Sequence, residues 1–340
     1  MDIRRQLAAV TCALVVVAVG QSPVRGQSGT ASSYTPPKTP WGDPDLQGVW
    51  PVTASVGIPM QRPPELGTRT VLTEQEFEAR SKQSLRQLET DNAEFEIETA
   101  DTSNAGEVGS ATSPPPHWLE RGKPSRQASL VVEPADGRTP ALVPEAQARA
   151  KAAQETRRGR GPADSWEDRS YWDRCVTRGP VGSMLPTVYN AGNEIVQAPG
   201  YVVIRNEMIH EARVVPIDGR PHLPASIRSY MGDSRGRWEG STLVVETRNV
   251  QRRAGIGGGA GGAAPQSDAI TLTERFTPID ANTIQYTVTI ADPGTWARPW
   301  TIAIPWQRDS DYRLFEYACH EGNYAMRNIL SGAREDDRKR

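Results

Sequence analysis

The stretch Thr283–Ile290 does most to limit how this chain folds. Ile284, Tyr286, Val288 and Ile290 occupy one face of an extended segment, with Gln285, Thr287 and Thr289 opposite. That period of two predicts a strand with one face packed and the other wet or lining a cavity. Ile270–Phe276 and Trp300–Trp306 flank it as further strands at short spacing. Trp238–Leu243 predicts a hairpin bent at Gly240, with Leu243–Thr247 returning. Ile195–Arg205 and Ile209–Ile217 predict another, turning at Asn206-Glu207. Leu314–Ala318 reads as a last strand. Asn323–Leu330 reads as a short closing helix with Met326, Ile329 and Leu330 on one face and Gly332 as its stop. Such closely spaced strands make residues 166–334 a mainly β core domain, an antiparallel barrel or sandwich, followed by a charged tail at 335–340. With 30 glycines and 28 prolines the chain is too rich in helix breakers for a coiled coil or helical bundle.

Residues 27–165 lack sustained periodicity and predict an extended arm that carries two helices. Thr73-Glu74-Gln75-Glu76 has capping-box spacing and should start a polar helix to about Leu88. Pro144 suits a first helical turn, with the helix running to about Glu155. Residues 100–140 read as loop around Pro114-Pro115-Pro116. Arg157, Arg158 and Arg160 with Gly159 and Gly161 form a short basic linker, either a solvated hinge or an anionic contact. Gly48-Val49-Trp50 resembles the Gly-x-Trp that opens the barrel of lipocalin-like proteins, where the Trp plugs one end; here Trp50 should dock the arm onto the core.

The first 26 residues have the order of a secretory signal peptide: Arg4 and Arg5, an apolar run Leu7–Gly20, then small residues. The run falls short of the roughly 20 residues of a membrane span. The expectation is export to the periplasm or beyond, with no stable membrane insertion after cleavage. Cys175 and Cys319 would then meet an oxidising compartment, as a disulfide or as two buried free thiols. A formal net charge of -2 argues against a nucleic-acid partner.

His117 sits in the Pro-rich loop, and three other histidines carry the chemical interest. His210 opens His210-Glu211-Ala212-Arg213 within an apolar run; on a strand, Glu211 and Arg213 share a face, where they can pair or jointly grip a polar ligand. His222 follows a turn at Asp218-Gly219, a usual place for a binding residue on a rigid β scaffold. His320 and Glu321 precede Asn323 at the start of the closing helix, which makes this corner a binding point or a plain helix cap. Asp233 sits in the Gly-bounded turn 232–236, and Trp238 offers an aromatic face. Glu274 shares its face with Ile270, Leu272 and Phe276, and Glu316 with Leu314 and Ala318. A carboxylate so placed either meets an arginine (Arg275, Arg298 or Arg213) or has its pKa raised, as an acid catalyst requires. No His-x-His, His-x-x-x-His or Cys-x-x-Cys spacing points to a metal, and no nucleophile elbow, Walker loop or dinucleotide fingerprint implies a cofactor. The glycine-rich stretch Ala254–Ala264 has no strand-then-helix frame for phosphate.

Four phrases nevertheless cohere: Arg174-Cys175-Val176-Thr177-Arg178-Gly179, Met208-Ile209-His210-Glu211-Ala212-Arg213, Gly232-Asp233-Ser234 with Trp238-Glu239-Gly240, and Ala318-Cys319-His320-Glu321-Gly322-Asn323. Together they resemble an uncharacterised family of secreted proteins common in soil bacteria, over about residues 166–334. The resemblance implies an extracytoplasmic location and lends no mechanism. Two main function classes stay open. One is binding of a small polar or carbohydrate-like ligand by Trp, Arg and carboxylate side chains, with His222, Asp233, Trp238, Glu274 and Asn323 as contacts. The other is an acid–base lyase or hydrolase with His210 as base, Glu211 or Glu321 as acid, and Arg213 and His320 beside them. A structural or envelope-interaction role is a third.

Overall fold

A computed structural model describes residues 34–100, 119–120, 122–252, 256, 266–321 and 323–339. The segment 1–26 expected to be a signal peptide, Pro114-Pro115-Pro116, His117 and nearly all of the glycine-rich stretch lie outside the described residues. The strands are, in chain order, β1 (Gly48–Val49), β2 (Val131–Glu133), β3 (Asn193–Ala198), β4 (Tyr201–Asn206) and β5 (Ala212–Pro216). They continue as β6 (Asp233–Glu239), β7 (Thr242–Arg248), β8 (Thr271–Asp280), β9 (Thr283–Ala291) and β10 (Trp300–Gln307). They form two antiparallel sheets, a four-stranded one in the order β1-β3-β4-β5 and a six-stranded one in the order β2-β10-β9-β8-β7-β6. β5 and β6 pack side by side without a ladder, so the sheets do not close into a barrel.

The alternation in β9 behaves as its sequence requires. Ile284, Tyr286, Val288 and Ile290 are fully buried, and the threonines between them are half-exposed. Phe276 of β8 stands opposite Tyr286, and Trp306 of β10 opposite Ile284. Phe276, Tyr286 and Trp306 meet with ring centroids 5.0–5.3 Å apart, an aromatic knot at the centre of the core. Burying each such side chain stabilises the fold by about 1.5–3 kcal/mol. The arm contributes to the same core: Leu46, Trp50, Val52, Ile58, Leu130 and Val131 pack into it. Trp50 is docked as expected, its Nε1 donating to the Leu46 carbonyl and the Arg308 guanidinium lying 4.3 Å from its ring.

The helices are α1 (Glu74–Ala100), α2 (Pro144–Thr156), a single turn α3 (Gly179–Gly182) and α4 (Ala325–Lys339). The capping box forms: Thr73 N–H donates to Glu76 Oε2 at 2.8 Å and Glu76 N–H to Thr73 Oγ1 at 3.3 Å. α1 runs beyond the expected Leu88, and α2 begins at Pro144 as its sequence predicts.

Five expectations are corrected. The run Ile195–Arg205 is two strands, because Pro199-Gly200 makes a two-residue turn with Gly200 at φ +80° and leaves Ala198 opposite Tyr201. His210 then lies in a 3-10 turn, Met208–His210, and not in a strand; Ile209 and His210 both adopt left-handed φ, 61° and 46°. Leu314–Ala318 forms no strand: the Phe315 N–H goes to the Glu207 carboxylate, and Phe315 and Glu316 stand in solvent. α4 passes through Gly332 without stopping, because Arg334–Asp337 and Glu335–Arg338 pairs support the turns beyond, so the expected charged tail is mostly helix. The turn before β6 ends at Gly232, where φ is +72° and a Cβ would stand 2.6 Å from the Arg248 carbonyl, and Asp233 already belongs to the strand.

Candidate functional site

The candidate residues separate into three places. The first is the core. Arg213, on β5, reaches across to Glu274 on β8 with two hydrogen bonds of 2.5 and 2.8 Å. Tyr286 donates its hydroxyl to the same carboxylate at 2.9 Å. Arg213 is 3% exposed and Glu274 and Tyr286 are fully buried, so this triad has no contact with solvent. Burial works against the Arg213 charge, but the adjoining Glu274 carboxylate outweighs it and holds the guanidinium pKa above its ordinary value. Among the three arginines considered for Glu274, the fold selects Arg213 and thereby removes it from any exposed site.

The second place is the start of β6. His222 sits between two carboxylates, with Nδ1 at 2.8 Å from Asp233 Oδ2 and Nε2 at 3.1 Å from Glu246 Oε1. Asp233 also receives the Leu223 N–H at 2.9 Å and pairs with Arg235 at 2.6 Å. Its pKa lies below the ordinary value: partial burial opposes the shift, and the Leu223, His222 and Arg235 contacts overcome it. Both ring nitrogens of His222 and both oxygens of Asp233 have partners within the protein, which makes the cluster a clasp between the 218–223 loop and the sheet. Trp238 packs partly buried against the core, and its Nε1 is buried without a hydrogen-bond partner.

The third place is a corner where the segments 166–183, 207–211 and 312–323 meet. The Cys175–Cys319 disulfide forms, with the two Cα atoms 5.8 Å apart, and ties the first segment to the last. His210 Nδ1 lies 2.9 Å from the Tyr317 carbonyl. A carbonyl only accepts, so Nδ1 donates in this contact, and the rest of the ring is exposed. Glu211 acts as a hub: it accepts from Thr177 Oγ1 at 2.5 Å, from Ser183 Oγ at 2.8 Å and from the Arg178 backbone N–H at 3.3 Å. Asn323 makes the contacts of a helix cap, accepting the Ala325 N–H at 3.0 Å and donating to the Cys319 carbonyl at 2.7 Å. His320 and Glu321 are exposed on the same loop.

What the sequence reading passed over is the lining of this corner. Arg178 is 6% exposed and lies 5.0 Å from the Trp172 ring centroid. Trp172 stacks with Tyr189 at 6.4 Å, and Tyr189 bonds to Tyr317. Beside them Arg174 lies over both Trp166 and Tyr171, and Tyr171 meets Tyr230 edge-on at 5.5 Å. Burial pushes the Tyr189 hydroxyl up to about 12. The signal was present as density: Trp166, Tyr171, Trp172, Arg174 and Arg178 fall within one short stretch. Next to the corner, Glu120 and Glu207 share the Tyr312 hydroxyl at 2.8 and 2.6 Å. Burial raises the Glu120 pKa, and the neighbouring Glu207 adds to the rise. Among the described residues no group of three or more His, Cys, Asp or Glu side chains is arranged to hold a metal ion. Compared with known families and curated proteins, the chain matches no family model and no curated sequence. No helix among the described residues is long and apolar enough to cross a membrane.

Proposed function

We propose that this is an exported, mainly β binding protein that takes a small polar, carbohydrate-like ligand at the corner of Trp172, Tyr189, Tyr317, Arg178 and His210. The observation that carries this reading is the separation of Arg213 from His210. An acid–base enzyme built on His210, Glu211 and Arg213 needs all three at one reacting centre. Instead Arg213 is locked to Glu274 in the core, and both Glu211 oxygens are committed to Thr177, Ser183 and the Arg178 backbone. The corner keeps what a sugar site needs, aromatic faces for the C–H side of a ring and polar atoms to fix its orientation. Tyr230 and Trp166 extend the aromatic surface outward, 38% and 51% exposed. The disulfide is compatible with export, and mass spectrometry of protein recovered outside the cytoplasm should show loss of about 20–30 N-terminal residues.

The test is a panel of neutral and acidic mono- to tetrasaccharides, read by saturation-transfer NMR and by tryptophan fluorescence. At least one member should bind, and Tyr230→Ala or Trp172→Ala should weaken it while His222→Ala leaves it unchanged. No binding across the panel, or binding insensitive to the corner variants, would refute the reading. Turnover of a bound panel member that vanishes in His210→Ala would favour the enzyme class instead.

A further inference from the structure

Arg178 is buried in a way its surroundings do not explain. Neither Nε nor Nη1 has a hydrogen-bond partner, although both atoms are shut off from solvent. Charged N–H groups left without an acceptor are expensive, more so than neutral ones. The neighbours cannot supply one. Trp172 offers only its π face. Glu211 lies close enough to act on the Arg178 charge, but among the described residues no carboxylate comes within ion-pair distance of the guanidinium. Tyr189 is engaged with Tyr317. Arg174 has the same character, resting on Trp166 at 4.3 Å and Tyr171 at 5.0 Å rather than on a carboxylate. Two cations four residues apart therefore face aromatic rings at this corner of a chain whose overall charge is negative.

We infer that the ligand of this corner carries a carboxylate, which accepts from the open Nε–H and Nη1–H of Arg178 while the attached ring lies against Trp172 and Tyr189. The chemical class is an acidic sugar of the uronic-acid type. This rests on the binding reading above and adds the charge of the ligand to it. Trp172, Tyr189 and Tyr317 are each half-buried, so a carboxylate entering between them would give the unpartnered Arg178 N–H groups a charge-assisted bond in a poorly hydrated setting.

The experiment compares galacturonate and glucuronate trisaccharides with their fully methyl-esterified forms and with acetate, by isothermal titration calorimetry on the full chain. The ester keeps ring and shape and removes only the charge. The free acid of at least one sugar should bind about tenfold or more tighter than its ester, the gain expected of a charge-assisted bond. That ratio should collapse in Arg178→Gln while the ester's own affinity persists. If Arg178→Gln does not fold, the ratio in the native protein decides, since it must shrink at high salt. Esters that bind as well as acids, or a preference that survives Arg178→Gln, would overturn the inference and leave the sugar site standing. Acetate binding as tightly as the trisaccharide acids would overturn the sugar assignment. Failure of every acid and every neutral sugar would remove the binding reading and this inference with it.

Discussion

Replacing Arg213 alone should be among the most damaging single changes to this protein, whereas replacing Arg213 and Glu274 together should be mild. The Glu274 carboxylate is fully buried and draws its partners from two side chains, the Arg213 fork at 2.5 and 2.8 Å and the Tyr286 hydroxyl at 2.9 Å. In Arg213→Met the carboxylate keeps only the Tyr286 bond, in a site with no access to water. Breaking a buried pair from one side costs about 3–5 kcal/mol. At roughly 2–4 °C per kcal/mol for a chain of this class, that is a fall in Tm of about 6–20 °C. In Arg213→Met/Glu274→Leu no charge is stranded, and such replacements run from neutral to about 1–4 kcal/mol stabilising. Tyr286→Phe removes one bond to a charged acceptor and should cost about 1.5–3 kcal/mol. Urea unfolding of the two single variants, the double variant and the parent closes the cycle, with the slope m checked for constancy. Single variants that lose less than about 1 kcal/mol, or a double variant as damaged as the sum of its parts, would refute the account of Arg213 as a core strut.

Other consequences follow from the corner and its neighbours. Cys319→Ser should lower stability by about 2–4 kcal/mol, measured by the same unfolding, because the bond closes a long loop in the denatured chain. Glu211→Ala should destabilise far more than His210→Ala in thermal melts, since Glu211 answers three buried donors whereas His210 holds one carbonyl from an exposed ring. The raised pKa of Glu120 means that the folded state holds its proton above the ordinary glutamate range, so stability from this group is greatest at low pH and declines as pH rises through the raised value. Melts across that window should slope downward with pH, and the slope should flatten in Glu120→Gln. Asp233 works in the opposite sense: its lowered pKa gives stability above the ordinary aspartate range that is lost as pH falls through the folded value, and Asp233→Asn should remove that acid-side loss.

Some of this was legible in the chain and some was not, for identifiable reasons. The period of two in Thr283–Ile290 and the Thr73/Glu76 spacing are local signals, and the structure repeats them. Glu274 on an apolar face called for either an arginine partner or a raised pKa, and Arg213 was one of three candidate partners; which of them crosses the sheets is a property of packing. Pro199-Gly200 was hidden by the β-branched residues on either side, so a turn was read as the middle of a strand. β2 is three residues long and exists because β10 offers an edge far along the chain, information no local window contains. Arg178 stood in plain view between Cys175 and Gly179. Its missing acceptors depend on where Trp172, Tyr189 and Glu211 end up, which no local window of sequence contains.

One edge of each sheet is supplied by the arm, and this bears on when the protein can fold. β1 waits for β3, the Trp50 carbonyl meeting Asn193 across 143 residues, and β2 waits for β10, with Glu133 and Thr301 separated by 168. Loop closure over such distances slows the step that completes each sheet. Neither sheet therefore acquires its outer strand until most of the polypeptide has been delivered. The hairpins inside each sheet close locally, so the arm is secured last, when its short strands find β3 and β10.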